Sequence, residues 1–301
     1  MNLVIAAIPH KAKLVLAYFA VYVIWGSTYF ATSLVVKEVP PLYAAGIRFT
    51  IAGWILIVWA FIRGEKMPVG REWLSPLVVA LFLLVLTNGT TTIACLFIPS
   101  GVVALLQSLG PGCTVFWDRF VFHKETYRMR HYLGIFIGIT GAVLLVLTRS
   151  GGEISFQVRP AGVLLILFGI SSWSFGSLLG KDIQGPASNV VNSGLGMGIA
   201  GPSMLFLGSL FDWSSIYTFS PVSSRAVLGI AYMIFFGSIG AFSSHCWLMR
   251  VEPPSRVATS TFVNPVIAMF LGTTFGGETL TTQMIFAAAV ILGSVFLIWR
   301  K

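Results

Sequence analysis

Tyr18, Tyr22, Trp25, Tyr29 and Thr32 recur at steps of four, three, four and three, which puts all five on one face of a helix. Tyr and Trp combine an apolar ring with a polar tip. Such a face can stack on a small solute or hydrogen-bond it. It can equally pack against other helices or sit in an interfacial belt, and Tyr18, near one end of its run, fits the belt. Trp25 and Tyr29 are the candidate solute contacts. A second Trp, Trp173, shares a face with Gly176 and Gly180, where small residues also allow close helix packing.

Other apolar runs each carry a polar group at middle depth: Asn88 before Thr90, Thr91 and Thr92; Gln107 and Ser108; Ser243, Ser244 and His245; Ser260, Thr261 and Asn264. Ser and Thr can satisfy themselves on a carbonyl one turn back. Asn, Gln and His are harder to hide, and they serve either a solute or hydrogen bonds between helices. His245 stands alone as a histidine within an apolar run, either as a proton-sensing or solute group or as a packed neutral imidazole. Arg48 lies within another run. Its long side chain is expected to snorkel to the outer headgroups, with a solute-carboxylate anchor as the alternative.

This is chemistry of recognition rather than of bond making. The ten acidic residues fall in loops or near the ends of the apolar runs, so no carboxylate faces His245 at depth. No nucleophile–base pair or ligand cluster is evident, so no catalytic residue, cofactor or metal is expected. Cys95, Cys113 and Cys246 all lie in apolar runs and read as small packing residues.

The elements that carry these groups are membrane helices. The chain has 301 residues, 56% hydrophobic and 10% charged, with a mean hydropathy of +0.88. A soluble domain would carry roughly 25% charged residues. Ten spans are expected, at 14–36, 41–62, 73–97, 99–122, 131–149, 160–181, 188–211, 224–248, 254–275 and 281–299. The first follows His10, Lys11 and Lys13 and reads as a retained helix rather than a cleaved leader. With the N-terminus inside, 14 Lys and Arg fall in inner loops and 4 in outer ones; with Arg48 these make up the 19 present. That bias predicts both termini in the cytoplasm. It also accounts for the net charge of +9 without a nucleic-acid partner.

The chain repeats itself at an offset of roughly 150 residues. WGS (25–27) answers WSFGS (173–177), and the stretch from Pro99 to Thr126 answers that from Pro254 to Thr279. The expected units are therefore residues 1–150 and 151–301. Each holds five spans, an odd number, so the second would enter the membrane inverted, with a site at midplane between the halves. Pro111 and Pro265 hold matching places and are expected to bend or gate their helices. Gly141 and Gly293, also matched, are expected at close helix contacts.

WGSTYF in the first span, the PP..AAGIRF entry to the second, and above all PPSRVATSTFVNPVIAMFLGTTFGGETLT resemble the EamA-type transporters of the drug/metabolite transporter superfamily. The resemblance covers essentially the whole chain. It implies an all-α integral membrane protein, ten transmembrane helices as two inverted five-helix repeats, in a bacterial inner membrane. It also implies a cavity lined by spans 1, 3, 4, 6, 8 and 9, and export of amino acids or similar metabolites. In the first half FHKET lacks the Gly that the family places before the Glu, which unsettles a tight turn at 123–126.

The expected function is export of a small metabolite, most of all an amino acid, aromatic or hydrophobic ones included. Alternating access would proceed without a midplane carboxylate, as a facilitator. Importer or exchanger of another metabolite on the same fold is the alternative, and an intramembrane enzyme a remote one. The candidate substrate contacts are Trp25, Tyr29, Asn88, Gln107, Trp173, Ser244, His245 and Asn264. The partners are that small molecule and the lipid bilayer; the oligomeric state stays open, a monomer included.

Overall fold

Among the described residues ten helices succeed one another where the apolar runs lie: α1 (His10–Val35), α2 (Pro41–Ile62), α3 (Gly70–Ala94), α4 (Ser100–Phe122), α5 (Met129–Leu147), α6 (Pro160–Gly180), α7 (Asn189–Ser209), α8 (Ser224–Leu248), α9 (Ser260–Phe275) and α10 (Thr282–Trp299). This computed structural model describes residues 9–123, 128–147, 159–211, 213, 217, 221–252, 257, 260–278 and 281–299. Seven of the helices, α1 to α4 and α6 to α8, are long and apolar enough by themselves to cross a membrane. A chain this apolar must satisfy its backbone within each segment, which is why helices fill it. Pro41 and Pro160 open α2 and α6, where a missing N–H costs nothing. Ser188 and Ser223 cap α7 and α8, accepting from Val191 N–H at 3.4 Å and Ala226 N–H at 3.3 Å.

Large apolar side chains such as Phe61, Phe136, Phe206 and Leu228 stand exposed around the bundle, as lipid contact requires. Inside, α2 packs most extensively on α7 and α5 on α10, while α4 packs on α9. Several further contacts come in corresponding pairs, α1 with α8 and α6 with α3, α1 with α9 and α6 with α4, α2 with α8 and α7 with α3, while others, such as α1 with α4 and α4 with α10, have no such counterpart among the described residues. Close approach on α2 and α7 depends on glycine. A Cβ added at Gly53 would lie 2.7 Å from the Gly198 Cα and closer still to its nitrogen, so backbone meets backbone there.

Four helices carry a stretch of π-helix: Ala20–Ile24 in α1, Val79–Leu86 in α3, Asp118–Phe122 in α4 and Met233–Phe242 in α8. A π turn widens the helix and shifts its carbonyls away from their usual donors. The two matched prolines sit in different settings. Pro111 sits in the first turn of a new helical segment, Gly110–Trp117, after an interruption at Ser108 and Leu109. Pro265 lies within the helix Ser260–Phe275, which is assigned without a break. Of the matched glycines, Gly141 is a close contact, since a Cβ there would lie 2.6 Å from Ile291 Cγ1, but among the described residues nothing lies within 4 Å of one at Gly293. The close-packing reading of Gly293 is therefore corrected.

Candidate functional site

The π stretch of α1 ends at Trp25, whose indole meets two residues from the other half of the chain. Its ring centroid lies 6.1 Å from that of Trp173 on α6 and 4.9 Å from that of His245 on α8. Trp173 and His245 close the triangle at 6.3 Å. The first and third contacts are edge to face, a favoured geometry for aromatic rings. All three side chains are half-buried, although each faces the other two at the junction of three helices. His245 Nδ1 is buried and forms no hydrogen bond among the described residues, and neither does the hydroxyl of neighbouring Ser243. An unpaired polar nitrogen in an apolar bundle is costly unless a water or solute completes it.

The other candidates fall into different settings. Asn88 Nδ2 donates to Leu83 O at 3.0 Å, a carbonyl within the π stretch of its own helix. Gln107 Nε2 donates to Thr91 Oγ1 at 2.8 Å and so ties α4 to α3. Asn264, with its amide nitrogen turned toward α1, donates to Val21 O at 3.1 Å and Tyr22 O at 2.9 Å. Both carbonyls belong to the π stretch of α1. Asn264 thus ties α9 to α1, and the two helices approach so closely there that a Cβ on Gly26 would lie 3.2 Å from the Asn264 backbone. Tyr29, one turn along α1 from Trp25, packs against the buried cluster of α3, α4, α6 and α10. Ser244 is half-buried beside His245.

Arg48 departs from expectation. It does not snorkel: 8% of its surface is exposed, and Nε donates to Ser238 Oγ at 2.7 Å in the π stretch of α8. Nη1 lies 3.8 Å from the Met233 sulfur, and the guanidinium stands 4.8 Å over the Phe49 ring. No ion pair of Arg48 with a carboxylate forms among the described residues. Sequence reasoning missed this because a lone Arg two turns into a span looks the same whether it points outward or inward. It also missed Ser27 and Tyr232, whose hydroxyls meet at 2.6 Å between α1 and α8.

One end of the bundle is tied across the two halves. Ser223 N–H and Oγ donate to Glu38 at 2.7 and 2.6 Å. Tyr217 OH donates to Val36 O at 2.5 Å. Glu278 accepts from Ser100 at the start of α4. Gly277, with φ of +66°, turns the chain so that Glu278 can reach. Near the corresponding place in the first half His123 is left-handed, with φ of 55°, while Lys124 and Glu125 lie outside the described residues. Among the described residues no group of three or more His, Cys, Asp or Glu is placed to hold a metal ion. The three cysteines are free thiols, each half-buried.

The EamA-like transporter family model matches the chain twice, over residues 12–147 and 160–300. The chain is 36% identical to the inner membrane transporter YedA of Escherichia coli over 283 residues, 94% of this chain and 89% of that one. It is 25% identical to the transporter YvbV of Bacillus subtilis, over 97% and 92% of the two chains. Protein PecM of Dickeya dadantii is 27% identical over 94% of each. A solved crystal structure, 20% identical, superimposes with a TM-score of 0.63 over 96% of each chain, a likeness of fold.

Proposed function

The chain belongs to the EamA-like transporter family, and from that premise we propose that it exports small metabolites, foremost amino acids, through a site at Trp25, Trp173 and His245. Family membership makes it a membrane transporter, and its likeness to YedA makes it a multi-pass inner-membrane protein. One observation carries the cargo reading: three helices from both halves converge on aromatic rings and an unpaired imidazole nitrogen. Aromatic faces take apolar side chains and ammonium groups, and a free Nδ1 offers one polar contact.

In this reading residues 1–150 and 151–301 are inverted five-helix repeats with both termini cytoplasmic, and they rock about the aromatic triangle. The corresponding helix pairs support such a repeat. The ties of Glu38, Tyr217 and Glu278 lie where export must release its cargo, and they break as that end opens. Facilitated diffusion suits a site without an acidic group among its three members. The test is efflux from proteoliposomes loaded with a labelled amino-acid panel, with and without a pH gradient. Efflux above protein-free vesicles, indifferent to the gradient and cut about tenfold by Trp173→Ala, is expected. Efflux equal to protein-free vesicles across the panel overturns the reading.

A further inference from the structure

A guanidinium cannot shed its proton in a protein, so Arg48 is a permanent charge. Burying it is costly unless something compensates. What the described residues offer is one neutral hydroxyl, a thioether, the face of a phenyl ring and, within electrostatic reach, the neutral phenol of Tyr29. These orient the group and leave its charge unneutralised. Tying α2 to α8 through Ser238 does not need a cation, since a neutral amide would bond the same hydroxyl at lower cost. The charge itself is what demands a reason.

Its position supplies one. A Cβ added at Gly237 would lie 3.2 Å from Arg48 Nη2 and 2.9 Å from Thr28 Cγ2, so the guanidinium reaches the gap where α1, α2 and α8 meet. Thr28 in turn donates to Trp25 O at 2.6 Å. Arg48 therefore stands about one helical turn along α1 from the aromatic triangle, roughly 5 Å along the axis. Nη2 has no hydrogen-bond partner among the described residues.

We propose that Arg48 binds the carboxylate of the transported solute, so that the cargo brings the missing counter-charge and its side chain lies against Trp25 and Trp173. This rests on the transport reading and narrows it to carboxylate-bearing metabolites, amino acids among them. Ser238 and Phe49 act as positioning residues that hold the fork toward the gap. A guanidinium–carboxylate pair is charge-assisted and two-pronged, so it selects this group over an amide of the same shape.

The test is counterflow of labelled phenylalanine and leucine into proteoliposomes, inhibited by excess unlabelled amino acid or by the matching amide. The amide keeps the ammonium and side chain and lacks the carboxylate. Wild-type protein should be inhibited by the amide at least about tenfold less strongly than by the amino acid. Arg48→Gln should raise KM about tenfold or more and erase the acid–amide difference, and Arg48→Lys should keep part of it. The wild-type comparison stands even where Arg48→Gln fails to fold. Equal inhibition by acid and amide in the wild type overturns the anchor and leaves transport standing, as does an unchanged KM in a folded Arg48→Gln. No counterflow of any amino acid overturns the transport reading and the anchor with it.

Discussion

Glu278, in the turn after α9, caps the first turn of α4: its Oε1 accepts from Ser100 N–H at 2.9 Å and from Ser100 Oγ at 2.6 Å. Its Oε2 lies 3.4 Å from Gly101 N–H. One carboxylate thus meets the donors that a helix start leaves orphaned, and its charge complements the positive end of the helix. Removing it in Glu278→Ala leaves those donors without an acceptor. The expected loss is about 1 kcal/mol, read as a lower Tm in detergent, with Glu278→Gln intermediate. An unchanged Tm in both variants would mean that water replaces the carboxylate at no cost.

Glu38 makes the corresponding tie to the start of α8. The Ser223 hydroxyl and the Ser223 N–H both donate to it and hold its carboxyl below the usual range. A depressed acid stabilises the fold above its ordinary pKa, and that contribution fades as pH falls through the lowered value. The Tm gap between wild type and Glu38→Gln should be present at neutral pH. It should shrink as the pH is lowered to about 3.5, below the ordinary Glu range. A gap that widens on acidification contradicts the assignment. Because the group is exposed, added salt should narrow it too.

Glycine pairs separate close packing from mere composition. Gly53→Ala drives a methyl into the Gly198 backbone, where no side chain can move aside. It should cost about 1–3 kcal/mol or block assembly. Gly293→Ala meets nothing within 4 Å. It should be neutral or raise stability by up to about 1 kcal/mol through helix propensity. Thermal unfolding of the two variants side by side checks this.

Much of this was readable beforehand, for identifiable reasons. Ten apolar runs translate into ten helices because lipid leaves the backbone no other partner. Trp25 and Trp173 could be paired because the repeat relates them, and the structure brings their rings to 6.1 Å. The hydrogen-bond partners of Asn88 and Asn264 were hidden because both bond carbonyls in π stretches, and a widened stretch of helix leaves no mark in hydrophobic periodicity. Arg48 was misread as snorkelling because periodicity does not say which neighbour a side chain meets. Gly293 matches Gly141 in sequence, yet only Gly141 lies at the α5–α10 contact, so a sequence match did not carry over to packing.

Asn264 separates a packing residue from a cargo contact. Its amide serves Val21 O and Tyr22 O, carbonyls of the widened turn in α1. Asn264→Leu has similar volume and cannot donate, so both carbonyls lose this partner in an apolar setting. The expected cost is about 1–3 kcal/mol in thermal unfolding. Because that turn sets the position of Trp25, transport should slow through a lower maximal rate, with the order of preference among solutes kept. The opposite pattern, an unchanged Tm with a reordered solute preference, would return Asn264 to the cargo wall. Gly26→Ala is the independent probe, since its methyl would press on Ile267 Cβ at 3.1 Å and on the Asn264 backbone at 3.2 Å. It should reproduce the loss of stability with Asn264 left in place, because both changes act on the same contact between α1 and α9.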